Sequence, residues 1–468
     1  MLFPNLLSRR PLVREVWGLA IPVAIQSALV SALGMADVLM VSHLGSEAVA
    51  AVGLGSKINF VFILLMAALG TGCSILVAQY WGAGRQDRVR HTLALSILAG
   101  TLFMLPLTLL VILNADQLIM LGTDNSQVIM QGSSYLTITA FTLWLTQIVI
   151  IYEAALRATG DSKTPLYYAT FTIGLNIILN VWLINGGLGV PAMGVAGAAL
   201  ATLLARMAQV MWMFFGQQRQ SPRLHLSRRH FSEALTPTLV KRYGSMSWPL
   251  LVNFTLWSIG SLSYHLIAGR LGTTPLAVMS LLSPIESMYH SFFFGVTNAC
   301  SIMIGQRLGR GQFAEARALA KGFMIFAPLG SFGLGLILLA LSPFFLPLIG
   351  NLDAETLRQT QWAFAIMCLG FWLKVFNMVS IQGILRSGGD TKFCLYLDMS
   401  ALWFVGLPLT LAAAFWWQLP FTFVYAMILA EEGAKALGNI WRVRQQKWVR
   451  NLTAGDAPDT ALQVAVAG

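Results

Sequence analysis

Residues 73–84, CSILVAQYWGAG, return at 300–311 as CSIMIGQRLGRG. Cys-Ser-Ile, the glutamines Gln79 and Gln306, and the glycine pairs Gly82/Gly84 and Gly309/Gly311 all stand at one offset, 227 positions. Working outward, the same offset carries Pro22 to Pro249, Leu44-Gly45 to Leu271-Gly272, Ala50 to Ala277 and Ile58 to Ile285. Small insertions then shift the register. Gly122 returns as Gly350, and Leu156-Arg157, Gly160-Asp161 and Lys163 return as Leu385-Arg386, Gly389-Asp390 and Lys392. The chain is thus a duplicated unit of about half its length. In an apolar chain this duplication points to a secondary transporter, in which two lobes rock around a site between them.

Composition places the two lobes in a bilayer. Of 468 residues 56% are hydrophobic and only 10% charged, with a mean hydropathy of +0.69, whereas soluble domains carry about 25% charge. A helix needs about 20 apolar residues to cross a bilayer. Stretches of that kind lie near 15–41, 50–80, 92–113, 129–155, 165–185, 192–215, 243–268, 277–306, 317–348, 359–385, 393–416 and 420–440. The expected fold is all-α and polytopic: twelve transmembrane helices in two six-helix lobes. Six is even, so both repeats enter the membrane in the same direction, an internal parallel repeat. The N-lobe is expected at 1–215, a cytoplasmic linker at 216–242, the C-lobe at 243–450, and a polar, small-residue-rich disordered tail at 451–468.

Most of the 30 Lys and Arg residues fall at the N-terminus, in the even-numbered loops, in the linker and after the last span. By the positive-inside rule these segments are cytoplasmic, and both termini with them. The net charge of +11 is accounted for by this topology, so no nucleic-acid partner is expected. The first span is too long for a signal-peptide core and contains Asp37, so it is expected to remain as a helix. Cys73, Cys300, Cys368 and Cys394 lie in expected spans without metal-ligand spacing, and are read as free buried thiols. Asn451-Leu452-Thr453 matches a glycosylation sequon on the cytoplasmic side, and is read as accidental. The chain has no phosphate-binding loop, dinucleotide fingerprint or hydrolase motif. Its loops are too short for a catalytic domain. A non-enzyme without cofactor or metal is expected, driven by an ion gradient.

Ion coupling falls to polar residues inside the spans, where an ionisable group costs about 2.5–3.5 kcal/mol on insertion scales. Asp37 leads, in the outer half of the first span. Gln26 lies eleven residues earlier, three turns away on the same face. Asn176 and Asn180 form an i,i+4 pair in the fifth span, and Thr202 of the sixth approaches the same depth. A carboxyl among two amides and a hydroxyl makes a proton-coupling site. Taken without Asp37, the asparagines and Thr202 read equally well as hydrogen-bonding glue between helices.

The repeat position of Asp37 is Tyr264, so carboxylate coupling is asymmetric. Glu286 in the eighth span and Lys374 in the tenth are substrate-cavity candidates together with Gln26, or form a neutralised structural pair. Lys57 is placed to face Glu286 across the cleft. Glu431, Glu432, Lys435 and Asp398 read as packing or ion pairs, and Arg206 as a buried or snorkelling cation.

These residues together carry a family resemblance. The duplication, Pro22 fifteen residues before Asp37, His43-Leu44-Gly45, Gln79-x-x-Gly82-x-Gly84 with its copy, and Leu156-Arg157-x-x-Gly160-Asp161-x-Lys163 with its copy resemble the multidrug and toxic compound extrusion (MATE) family over about residues 12–445. The resemblance implies an antiporter in a bacterial cytoplasmic (inner) membrane that exports hydrophobic, mostly cationic organic compounds in exchange for H⁺ or Na⁺. Asp37 then matches the first-lobe coupling carboxylate, Asn176 and Asn180 the polar fifth-helix positions, and Pro22 the proline at which the first helix bends. Glu286 resembles an eighth-helix glutamate of part of the family. The chain departs from members with acids in spans seven and ten, which favours coupling through the first lobe.

Twenty Met and 11% aromatic residues suit a pliable cavity for hydrophobic cations. A monomer coupled to protons is expected, with Na⁺ as the other coupling ion. A lipid-linked oligosaccharide flippase of the same superfamily is the alternative. It is disfavoured because only Arg206 and Lys374 lie well inside spans.

Overall fold

The computed structural model describes residues 10–187, 189–220, 224–346 and 353–455. Twelve long helices make up these residues. The first six are α1 (Arg10–Val41), α2 (Ser46–Gly82), α3 (Gln86–Leu113), α4 (Ser126–Ala158), α5 (Lys163–Asn185) and α6 (Gly194–Gln220). The second six are α7 (Pro237–Leu271), α8 (Thr273–Gly309), α9 (Phe313–Phe345), α10 (Ala354–Met378), α11 (Thr391–Ala401) and α12 (Phe421–Arg444). A wider π-helical stretch, Val379–Leu385, prolongs α10, and further turns prolong α11 to Trp416.

Each of the twelve expected spans overlaps one of these helices, and most helices outrun the apolar stretch by a few residues; residues 347 and 348, at the end of the ninth span, lie outside the described residues. Apolarity marks where a helix meets hydrocarbon, not where its hydrogen bonding ends. The stretch 216–242 shows the difference. It is helical at both ends, because α6 continues to Gln220 and α7 starts at Pro237, a first-turn position that a proline suits. Between them sits one short helix, Arg228–Glu233. Among the described residues ten helices are long and apolar enough to cross a membrane by length and composition. The two others are α8, which carries Glu286 and His290, and α12, which carries Glu431, Glu432 and Lys435.

The apolar core divides as the repeat does except at the first helix of each half: Leu19 and Ala20 of α1 pack with the second half, and Leu239 and Tyr243 of α7 pack with the first. One set of buried side chains, including Cys73, Leu93, Ile151 and Leu156, joins α2, α3 and α4. Another, including Cys300, Phe364, Phe371 and Val379, joins α8, α9 and α10. All four cysteines are free and buried.

The halves meet where the duplicated motif lies. A Cβ at Gly82 would overlap the backbone of Gln306, and one at Gly309 would overlap the backbone of Gln79. Only glycine lets α2 and α8 approach so closely. Gln79 Nε2 donates to Ser387 O (2.8 Å), and Gln306 Nε2 donates to Ala158 O (2.9 Å). These two bonds are copies of each other across the repeat. Among the described residues, hydrogen bonds between the halves run from Ser27–Ser291 (3.1 Å) at mid-helix to this end of the bundle. We call it the linker side, since the connection between α6 and α7 lies there.

The tail was expected to be disordered from residue 451. Residues 451–453 are instead packed, while 454 and 455 are exposed. Asn451 Nδ2 donates to Gly309 O (3.2 Å), and Thr453 is buried. Asn451 of the apparent sequon thus has a structural partner, which composition alone does not reveal. Residues 456–468 lie outside the described residues, and the expectation for them with it.

Candidate functional site

Asp37 lies one turn from the end of α1, half-buried, in the half of the bundle away from the linker side. Asn180 on α5 donates from Nδ2 to Asp37 Oδ1 (2.9 Å) and to Asn176 Oδ1 (3.0 Å). Asn176 Nδ2 in turn donates to Thr202 Oγ1 on α6 (3.2 Å), whose hydroxyl donates back to Ala198 O (3.1 Å). Asp37, Asn180, Asn176 and Thr202 therefore form one unbroken chain of hydrogen bonds across three helices. The i,i+4 spacing on α5 presents both amides on one face. Asn180 and Asn176 are 0% and 1% exposed, so the chain leads from a half-open carboxyl into the packed interior.

One atom in this chain stands out. Asn180 Oδ1 is buried without a hydrogen-bond partner, and an unsatisfied buried acceptor is unfavourable by about 1–3 kcal/mol. A protonated Asp37 would supply the missing donor if the amide turned over. As the structure stands Nδ2 serves the carboxylate, and turning the amide over to bring Oδ1 to the acid would give up the Nδ2 bond to Asn176.

Gln26 does not join Asp37. Helical spacing puts the two near one face, but eleven residues separate them by roughly 16 Å along the axis. Gln26 is buried and donates to Glu153 Oε2 on α4 (2.7 Å). Arg157 Nη1 lies 3.4 Å from the same carboxylate and from Gln26 Oε1. Gln209 Nε2 donates to Glu153 Oε1 (3.3 Å), and Arg206 donates to Gln209 Oε1 (2.7 Å). Glu153 is the residue the sequence reading missed. An acid one turn before the duplicated Leu156-Arg157, near the end of an apolar span, was the available signal.

Glu286 does not face Lys57. It pairs with Lys374 Nζ at 2.5 Å, while Lys57 is exposed on α2. The side chains of Glu286 and Lys374 are 37% and 27% exposed. Charged groups inside membrane helices face a bundle interior or a cavity, and this pair is more open than the Arg386–Asp398 and Lys435–Glu431 pairs of the second half. A second pair, Glu431 and Lys435 at 2.5 Å, is by contrast 6% and 7% exposed and locked into packing. Pro22 lies inside α1, which stays helical through it. Close by, a Cβ at Gly295 of α8 would overlap Ala20 O of α1.

The repeats preserve positions while exchanging chemistry. Tyr264, the counterpart of Asp37, donates to Glu431 (2.6 Å), the counterpart of Thr202. Asn253, the counterpart of Gln26, donates to Asp398 (2.9 Å), and Arg386, the counterpart of Arg157, lies 3.6 Å from that acid. The acid has moved from α4 to α11, yet the amide and guanidinium that hold it have kept their places. Among the described residues, the buried carboxylates Asp390, Asp398 and Glu431 of the second half each lie beside a cation, as Glu153 does in the first, whereas Asp37 is met by an amide alone.

Comparison with known proteins agrees with this two-part architecture. The chain is 26% identical over 429 residues to the multidrug resistance protein NorM of Burkholderia vietnamiensis, a match covering 86% of this chain and 89% of the relative. It is 27% identical over 412 residues to the multidrug resistance protein MdtK of Pectobacterium atrosepticum, covering 84% and 86%. The crystal structure of a mutant of the Vibrio cholerae MATE transporter VcmN shares the fold, with a TM-score of 0.84, 18% identity, and coverage of 93% and 98%. The MatE family model matches twice, at residues 22–182 and 249–412. The two matches begin at Pro22 and Pro249, the same offset that separates the sequence repeats, and the chain belongs to the MatE family.

Proposed function

We propose that this chain is a proton-driven antiporter that exports hydrophobic organic cations by alternating access, from a bacterial cytoplasmic membrane with the linker side facing the cytoplasm. Family membership and relatives named for multidrug resistance support the transporter class. The observation that carries the coupling is the chain from Asp37 through Asn180 and Asn176 to Thr202.

Two features of that chain favour protons. Asp37 is met by an amide N–H, whereas a metal cation would call for several converging oxygens. Asn180 Oδ1 has no hydrogen-bond partner beside the ionised carboxyl, and a carboxyl that carries a hydrogen would supply one. In the exchange cycle, ionised Asp37 attracts the organic cation into the cleft. A proton arriving from the far side then cancels that attraction, and the drug leaves. Protonated Asp37 keeps its contact with Asn180 while α1, which lacks one backbone hydrogen bond at Pro22, bends as the lobes rock, and the proton then leaves on the linker side, which restores the anion for the next cation. One chain supplies both walls of the cleft, so a monomer suffices.

The test is efflux of ethidium from proteoliposomes with pH and Na⁺ gradients imposed separately. Efflux driven by the pH gradient alone, and lost in Asp37→Asn at equal protein level, is expected. Efflux driven by Na⁺ at clamped pH would overturn the proton assignment, and no efflux under either gradient would overturn the antiporter.

A further inference from the structure

The Gln79-x-x-Gly82 motif has a use beyond letting two helices cross. Gln79 is fully buried, and its amide is paired on both sides with the backbone of the segment that follows α12. Its Oε1 accepts from Leu452 N (2.7 Å), and its Nε2 donates to Arg450 O (3.3 Å) as well as to Ser387 O (2.8 Å). A carbonyl at one residue and an N–H two residues on is the pairing a neighbouring β-strand would make. The side-chain amide takes the place of that strand. Arg85, also at the linker end of the first half, donates to Thr453 O (3.0 Å).

The segment is anchored unequally. Trp448, 1% exposed, belongs to the core of the second half, and its carbonyl lies against Gly388, where a Cβ would overlap it. Asn451 donates to Gly309 O, also in the second half. Leu452 bridges the two: it packs on the apolar cluster around α2, α3 and α4, and also against Gly389 and Leu250 of the second half. Residues 448 and 451 are thus anchored in the second half, while the bonds from Gln79 and Arg85 to residues 450, 452 and 453 tie the segment to the first. Gln306, the repeat copy of Gln79, makes the matching bond to Ala158 O, but only Gln79 meets the segment after α12.

We propose that Gln79 and residues 450–453 form a latch that holds the halves together on the linker side and must release from the first half before the cleft opens there. The proposal rests on the alternating-access reading. Release costs three hydrogen bonds and the burial of one leucine, so losing the latch should enrich the linker-open state roughly tenfold or more.

The experiment measures electron-electron distances in liposomes between spin labels at Gln86→Cys and Ala314→Cys. Both positions are exposed on the linker side of opposite halves, and the native cysteines are buried. The parent is compared with a truncation after Val449, which keeps Trp448, and with Leu452→Pro, which removes the N–H that Gln79 accepts. Both variants should raise the long-distance population at least tenfold. Arg450→Ala keeps the backbone carbonyl and should leave the distribution unchanged. If the parent exchanges between two distances while truncation and Leu452→Pro shift neither, the latch is wrong and alternating access stands. An equal shift in Arg450→Ala would assign the effect to charge and also overturn the latch. A parent held at one short distance under every gradient would instead sink alternating access itself.

Discussion

Replacing Asn180 with alanine tests the proton-coupling chain at its central link. The amide gives one hydrogen to Asp37 at 2.9 Å and the other to Asn176 at 3.0 Å, so two bonds vanish together. A hydrogen bond to a charged group contributes about 1.5–3 kcal/mol, and that contribution is made to the ionised carboxyl. Its loss disfavours the anion relative to the acid. One pH unit corresponds to about 1.4 kcal/mol, so the full loss would move the acid midpoint of efflux by about one to two units. Asp37 is half-exposed, and water entering from the cleft replaces part of the lost bond, which places the expected shift near about one unit. The direction is upward: the carboxyl accepts its proton at higher pH, and efflux should reach half-maximum in a less acidic medium. Asn176 also loses the donor to its Oδ1, an unsatisfied acceptor that destabilises the fold by about 1–3 kcal/mol. The assay is the initial rate of ethidium efflux from proteoliposomes against pH on the uptake side of the proton, with thermal unfolding measured in parallel. A reduced rate with an unmoved midpoint would refute the reasoning, because it would make Asn180 a packing residue only.

Pro22→Ala should restore a backbone hydrogen bond within α1 and slow turnover severalfold with little change in ethidium affinity; unchanged turnover removes Pro22 from the mechanism. Lys374→Ala leaves Glu286 without its cation and should tighten binding of organic cations several-fold, measured by fluorescence titration, with Glu286→Gln in the same background reversing the gain. One proton exchanged for one monovalent cation moves no net charge, so the steady gradient should follow pH, about tenfold per unit, and ignore the membrane potential. A gradient that shifts tenfold per ~60 mV of valinomycin-set potential, the value for one net charge moved, would show that a second proton enters.

Much of this molecule is legible in the order of its residues. Duplication is a one-dimensional property, and the offset between CSILVAQYWGAG and CSIMIGQRLGRG identifies two like-oriented halves without any coordinates. Apolar length locates the spans, because hydrocarbon thickness sets the number of residues a helix needs. Helical periodicity then places Asn176 and Asn180 on one face, and depth along the spans brings them level with Asp37 and Thr202. Position along a helix puts Asn176 and Asn180 on one face and all four residues at one depth; that they meet rests on the packing of α1 and α6 against α5.

Whatever depends on how helices rotate against one another was settled by the tertiary structure alone. Gln26 shares a face with Asp37, but α4 turns Glu153 toward it, so the two belong to different clusters. Glu286 took Lys374 and not Lys57, because α8 packs on α10 within its own half while α2 crosses it only near the linker side. The polar stretch after residue 450 read as disordered because composition sees a lack of apolar side chains. Its first residues, 451–453, are held instead largely through backbone groups, which every residue carries alike, and only a fold that brings Gln79 and Arg85 within reach gives them partners.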